Sequence, residues 1–205
     1  MDEWGIDVTI VGGQKGLSAI PGIAMIAFSE KIYELVSARE TLMPHWCLDP
    51  RRANKFWSLG EYHYTAPVPA ILAMHEALRL ICEETLEKRF ARHLFCSQTL
   101  QKCLEAMGLE LFTPEIYRLN SVVAIKNKMG VNTKELLAYM IKTHHVEISG
   151  AFGLDIVRIG QMGDQCRLEN IETVLRALGA GYQHMGVLLD TENALTEFKR
   201  LTAAV

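Results

Sequence analysis

The sequence predicts an α/β fold, and three observations carry that reading. Residues 8–11 form a short β-branched run ending in Gly12-Gly13, as a buried strand entering a tight turn would. From residue 68 the apolar positions Ile71, Leu72, Met74, Ala77, Leu78, Leu80 and Ile81 recur near the helical period. Beyond residue 119, short apolar runs alternate with helical stretches, which suits a small α/β domain packed on part of a larger one.

Taken in order, a second apolar segment over residues 20–28 returns beside the first turn, and Ser29 N-caps a helix running to about residue 37. Residues 38–61 contain Pro44, Pro50, Trp46, Trp57 and Arg51-Arg52, and they read as a long irregular connection of the kind that forms a functional loop or crosses an interface. The arginine pair reads as solvated rather than anion-binding. The helix from residue 68 is followed by a second over about 84–107, and the two form the domain joint, with domains expected at 1–82 and 83–205. A strand is expected at 119–125, a helix capped by Asn132 over 132–143, strands at 146–149 and 156–159, and a helix over 168–189.

Composition excludes several classes of function. The 205 residues are 49% hydrophobic and carry a net charge of −3 of mixed sign, with no basic stripe for nucleic acid. No apolar run approaches the roughly 18 residues of a membrane span, and the amino-terminal residues lack the charged and apolar blocks of a signal peptide. A soluble, cytoplasmic protein is expected, with no nucleic-acid or membrane partner. The five cysteines form no Cys-x-x-Cys pair and read as reduced thiols, Cys96 and Cys103 sharing a helix face as small hydrophobes. No histidines have metal-ligand spacing, so no metal is expected, and His144-His145 read as surface or strand-edge residues.

The candidate chemistry centres on Lys15. It follows the strand and Gly12-Gly13, at the carboxyl end where open α/β sheets bind ligands, and its small neighbours let a flat ligand approach the backbone. An amine desolvated in such a pocket attacks carbonyls, which is the requirement for a Schiff base. Taken alone, the local sequence favours an exposed turn lysine. A nucleotide-binding P-loop needs Gly-Lys followed by Ser or Thr, whereas the order here is Lys15-Gly16-Leu17.

Three segments overturn the simpler reading of that lysine. The run Gly13-Gln14-Lys15-Gly16-Leu17-Ser18-Ala19-Ile20-Pro21-Gly22, preceded by Trp4-Gly5-Ile6-Asp7, resembles the cofactor-lysine segment of class V aminotransferases, in particular the alanine–glyoxylate and serine–pyruvate group. Tyr62-His63-Tyr64-Thr65-Ala66-Pro67-Val68 is similar to that group's Tyr-His-x-Thr-x-Pro-Val motif, and Val157-Arg158-Ile159-Gly160 with Met162-Gly163 to its Arg-Ile-Gly-x-x-Gly motif. The sequence departs from the resemblance at Val11 and Gly13, where many relatives carry hydroxyls, often as Ser-Gly-Ser-Gln-Lys.

The resemblance implies a fold type I fold related to aspartate aminotransferase. Residues 1–82 would be a remnant of the large domain bearing the cofactor lysine, and 83–205 the small carboxyl-terminal domain. It also implies that the chain is a carboxyl-terminal half, since relatives carry roughly as much sequence again ahead of the lysine strand, including the aspartate that pairs with the cofactor ring. Asp7 matches a strand-entry position and is not that aspartate.

The implied reaction is transamination between an alanine- or serine-like donor and a 2-oxo acid such as glyoxylate or pyruvate. The donor stays open to other amines, ureidoglycine included. Lys15 would bind pyridoxal 5′-phosphate and shuttle the proton, Gln14 would contact the phosphate end, and Tyr62 and Thr65 would reach a neighbouring subunit's cofactor, which implies a homodimer with shared sites. Arg158 would grip the substrate carboxylate, the alternative being a structural salt bridge on a strand. A separate amino-terminal half is a further partner on this view. The competing reading is a catalytically silent or split-enzyme subunit that keeps the small domain and dimer surface.

Overall fold

The computed structural model describes residues 1–203. Its contacts divide the chain into two compact units, residues 1–79 and 80–205. Among the described residues, no helix is long and apolar enough to cross a membrane.

In the first unit, β1 (Val8–Gly12) and β2 (Ala24–Phe28) form an antiparallel pair, with Val8 opposite Phe28 and Gly12 opposite Ala24. α1 (Glu30–Ser37) follows, capped by Ser29, whose hydroxyl accepts from the Ile32 amide and donates to Asp7 at 2.7 Å. Asp7 therefore ties the start of β1 to the helix that leaves β2. The expectation of a buried first strand is corrected: Ile10 is 69% exposed, and Ile26 beside it is exposed too. Two strands bury little of each other's side chains, so their apolar faces stay open in this chain.

Residues 38–61 are also more ordered than expected. α2 (Pro50–Leu59) starts at the N-cap Asp49, which accepts from the Arg51 amide at 3.0 Å, and ends at Gly60 with φ 70°. An aspartate N-cap, proline in the first turn and a left-handed glycine after the end are local helix signals, outweighed in the sequence reading by proline and tryptophan content. Asp49 is buried, which pushes its carboxyl up, yet the hydrogen bonds and charge of Arg51 and the charge of Arg52 bring it below the ordinary carboxylate range.

α3 (Val68–Glu84) carries the chain into the second unit, where α4 (Leu86–Ala106) follows as expected. There β3 (Val122–Lys126), β4 (Ser149–Ala151) and β5 (Leu154–Gly160) form an antiparallel sheet in the order β3-β5-β4. α5 (Thr133–Tyr139) is capped by Asn132, which accepts from the amides of Lys134 and Glu135. α6 (Leu168–His184) and α7 (Thr191–Thr202) complete the unit. Cys96, Leu100, Cys103 and Leu104 of α4 join Val123, Ile125, Val157 and Ile159 of the sheet, Leu175, Leu178 and Tyr182 of α6, and Leu195 of α7 in one core. All five thiols are free. The buried Tyr182 hydroxyl donates to Asn127 at 2.8 Å, and burial pushes its pKa up to about 12.

Several boundaries differ from the sequence reading, β2 starting at Ala24 and β5 running Leu154–Gly160 among them. β3 starts at Val122 rather than 119, and β4 occupies Ser149–Ala151 rather than 146–149, because Val146 and Ile148 pack on the core from a loop. The helix after Asn132 leaves regular α geometry at Met140 and ends at His145 in the left-handed region. The expected helix to residue 189 stops at His184, ahead of Gly186 with φ 81°, and Asp190 then caps the unexpected α7.

Gly179 of α6 packs directly against Thr191 at the start of α7. A Cβ there would lie 2.1 Å from Thr191 Oγ1 and 3.1 Å from Thr191 Cβ, and a short β-branched side chain cannot swing clear. Gly179→Ala should therefore destabilise the chain by about 1–3 kcal/mol despite alanine's better helix propensity. Urea unfolding checks this, and an unchanged midpoint would refute the close packing.

Candidate active site

Lys15 lies in the connection between β1 and β2. That connection is held by backbone bonds from Gly13 to Ile23 at 3.2 Å, from Ala19 to Gly13 at 2.9 Å and from Ser18 to Lys15 at 3.0 Å. The first two close the turn at Gly13, which is buried. A Cβ at Gly13 would meet the Met74 methyl at 2.6 Å and the Ile23 carbonyl oxygen at 3.2 Å. The methionine tip can move, whereas the carbonyl is part of the loop closure and would have to give by a few tenths of an ångström, so a side chain at Gly13 would be tight against this turn. Lys15 and Gln14 are both exposed, and no described carboxylate forms an ion pair with the Lys15 amine. The expectation of a desolvated amine is thus not met by groups of this chain.

Tyr62 and Thr65 come together as expected. Their hydroxyls are 3.1 Å apart and both residues are exposed, on the segment between α2 and α3. His63, between them, is buried and bonded to Trp46, a contact the sequence reading did not single out.

Arg158 belongs to the second unit, on the central strand β5. Val157 and Ile159 turn into the core, while Arg158 is exposed on the other face, where its register partners are the small residues Ala124 and Ser149. Its Nε donates to the Gly150 carbonyl at 2.8 Å, which sets the guanidinium plane and leaves the Nη edge for a ligand. Among the described residues no carboxylate pairs with Arg158, so the structural salt-bridge alternative falls.

The loop that follows β5 is pinned by α4. Arg92 donates from Nη1 to the carbonyls of Gly163 at 3.1 Å and Cys166 at 2.5 Å, and from Nε and Nη2 to Glu84 at 2.5 and 2.9 Å. Arg89 reaches the same carboxylate at 2.7 Å. His93 Nδ1 lies 2.8 Å from the Arg89 carbonyl, so Nδ1 carries the proton, and Nε2 accepts from the Gly163 amide at 3.1 Å. The sequence reading missed these groups because the contacts of Arg92 and His93 to Gly163 and Cys166 join backbone atoms at least 70 positions away. Arg167 pairs with Asp164 at the start of α6, as a helix-start surface residue would.

Both titratable groups of this clamp are poised for neutral pH. The Arg92 hydrogen bonds, with those of Arg89 and both charges, outweigh burial and hold the Glu84 carboxyl down to about 2. Burial and the charges of Arg92 and Arg89 push His93 below its ordinary 6.5.

The residues present fit a pyridoxal phosphate site. They offer an exposed amine on a glycine-walled turn, a carboxamide beside it, and a hydroxyl pair of the chemistry a phosphate ester takes. Solved structures with this architecture place it as the carboxyl-terminal portion of a fold type I aminotransferase. Ureidoglycine–glyoxylate aminotransferase of Bacillus subtilis matches with a TM-score of 0.95 at 30% identity, over 98% of this chain and 53% of that one. Alanine–glyoxylate aminotransferase of Nostoc matches with a TM-score of 0.85 at 33% identity, over 88% of this chain and 49% of that one. Among curated proteins, alanine–glyoxylate aminotransferase of Rattus norvegicus is 35% identical over 193 residues, 90% of this chain and 46% of the rat protein. The chain matches the carboxyl-terminal half of class V aminotransferases, alanine–glyoxylate aminotransferases among them, and it spans about half the length of these relatives. No protein-family model matches it.

The clamp generates a pH dependence. Both groups bind fewer protons folded than unfolded below their ordinary values, so their stabilisation is present at neutral pH and is lost as pH falls. For His93 the loss begins near 6.5. For Glu84 it runs from about 4.5 toward about 2 and amounts to no more than about 2–3 kcal/mol. The urea midpoint should fall between pH 7.5 and about pH 5.5, and His93→Gln should flatten that fall. An equal slope in the variant would show that Gly163 does not depend on the neutral imidazole.

Proposed function

We propose that the chain supplies the carboxyl-terminal half of the machinery of a pyridoxal-phosphate-dependent transaminase with glyoxylate or pyruvate as amino acceptor. An alanine- or serine-like amino acid would be the donor. The observation that carries this reading is Lys15, an amine without an ion pair on a glycine turn at the carboxyl end of a strand. Glyoxylate is the acceptor named for the rat, Nostoc and Bacillus proteins, whereas their donors differ between alanine and ureidoglycine.

When bound, pyridoxal phosphate draws electron density from the substrate α-carbon. Lys15 Nζ would take the proton from that carbon and deliver it to the cofactor's C4′, as the single base that serves both transfers. Tyr62 and Thr65 donate their hydroxyls to the phosphate oxygens, and the Gln14 carboxamide orients that end. Arg158 receives the substrate carboxylate on its two Nη groups, its Nε being held by Gly150.

The exposure of Tyr62 and Thr65 supports their use by a neighbouring subunit's cofactor in a homodimer. Residues 1–82 serve as the cofactor-lysine part and 83–205 as the small domain. The five free thiols suit a reducing, cytoplasmic setting. A second reading, a silent or split-enzyme subunit that docks on a separate amino-terminal half, is favoured by the open apolar faces of β1 and β2, where Ile10 and Ile26 are exposed.

The test is the absorption spectrum of the purified chain with pyridoxal phosphate, before and after alanine. A band that requires Lys15, shifts with alanine and is missing in Lys15→Ala is expected, together with loss of turnover in that variant. No lysine-dependent band would leave the second reading. In whichever assembly is active, Arg158→Lys should raise KM for both the amino and the oxo acid by about 10–100-fold, because the two-point grip on the carboxylate is lost. An unchanged KM would remove Arg158 from the site.

A further inference from the structure

We propose that His63 is a positioning residue for the Tyr62 and Thr65 hydroxyls, acting through an imidazole whose Nε2 donates to a backbone carbonyl. The inference deepens the reading of those hydroxyls as phosphate contacts and rests on it. Residues 60–67 lie between α2 and α3 with no strand or helix to order them, so the hydroxyl pair needs another support. His63 supplies it: the side chain is 5% exposed between Tyr62 at 76% and Tyr64 at 40%. Burying this one residue turns its neighbours outward.

Two reciprocal bonds hold it. Trp46 Nε1 donates to the His63 carbonyl at 2.9 Å, and His63 Nε2 lies 2.7 Å from the Trp46 carbonyl. A carbonyl oxygen only accepts, so Nε2 carries the proton. His63 Nδ1 is buried with no hydrogen-bond partner among the described residues. The support continues beneath the imidazole. The Arg52 guanidinium sits 3.6 Å over the Trp46 ring, and Arg52 is paired at 3.7 Å with Asp49, the cap of α2. The His63 ring also meets Tyr64 edge-on at 4.8 Å. Contacts thus run from the start of α2 through Trp46 to His63, which lies in sequence between Tyr62 and Thr65, whose hydroxyls are 3.1 Å apart.

The experiment uses the full chain, with pyridoxal phosphate and phosphate-free pyridoxal as the two probes. Ring 15N shifts should show the proton of His63 on Nε2. His63→Leu should weaken pyridoxal phosphate binding by about 10-fold and leave pyridoxal binding at Lys15 unchanged. His63→Gln, whose carboxamide can still donate to the Trp46 carbonyl, should restore most of the loss. An unprotonated Nε2, an unchanged phosphate preference in His63→Leu, or no rescue by glutamine would each overturn the inference. If the Tyr62→Phe, Thr65→Val double variant keeps full preference for the phosphorylated probe while the Nε2 proton is present, the failure lies in the phosphate-contact reading, and the inference falls with it.

Discussion

Arg92 carries a constraint on which the geometry of the second unit depends. A guanidinium taken partly out of water must have its donors met, because an unmatched charge there costs several kcal/mol. Arg92 meets that demand with Glu84 on one side and the carbonyls of Gly163 and Cys166 on the other. Those carbonyls belong to the loop that leaves β5, two turns of chain after Arg158. The same contacts that satisfy a half-buried cation therefore anchor the loop beyond the sheet's central strand, while the Gly150 carbonyl sets the plane in which Arg158 presents its Nη edge.

The two units solve a similar problem with opposite histidine tautomers. In each, a backbone carbonyl selects which ring nitrogen keeps the proton: the Arg89 carbonyl selects Nδ1 of His93, and the Trp46 carbonyl selects Nε2 of His63. The second nitrogen then differs in its fate. On His93 it accepts from Gly163, while on His63 it is buried with no hydrogen-bond partner among the described residues. Both rings act on irregular segments beside residues of the candidate site, where no helix or sheet ladder could do the ordering.

The units also differ in how completely they enclose themselves. The second unit wraps three strands with α4, α6 and α7 around buried leucines, isoleucines and thiols. The first has a two-stranded sheet with Ile10 and Ile26 exposed, and its buried polar groups Asp49 and His63 are held by hydrogen bonds rather than by surrounding apolar mass. Burial of apolar area is the main stabilising contribution to a fold, so the second unit is the stronger candidate for autonomous stability.

Much of the fold was legible in the sequence because caps, turns and helical periods depend on residues within about four positions of one another. Ser29 and Asn132 cap their helices, α3 and α4 follow their apolar spacing, and Tyr62 meets Thr65 three residues away. The Asp49-Pro50 start of α2 was just as local, and it was masked by neighbouring residues that favour loops. What the tertiary structure alone decided is of longer range. His93 meets Gly163 across 70 positions and Trp46 meets His63 across 17, and both bonds are made to backbone atoms, which every residue possesses. Side-chain identity therefore cannot announce them. The exposure of Lys15 is of the same kind, since solvation is set by what packs around a turn and not by the residues that form it. The amino-acid sequence by itself determined which groups could do the chemistry, and the packing of distant backbone determined how they are held.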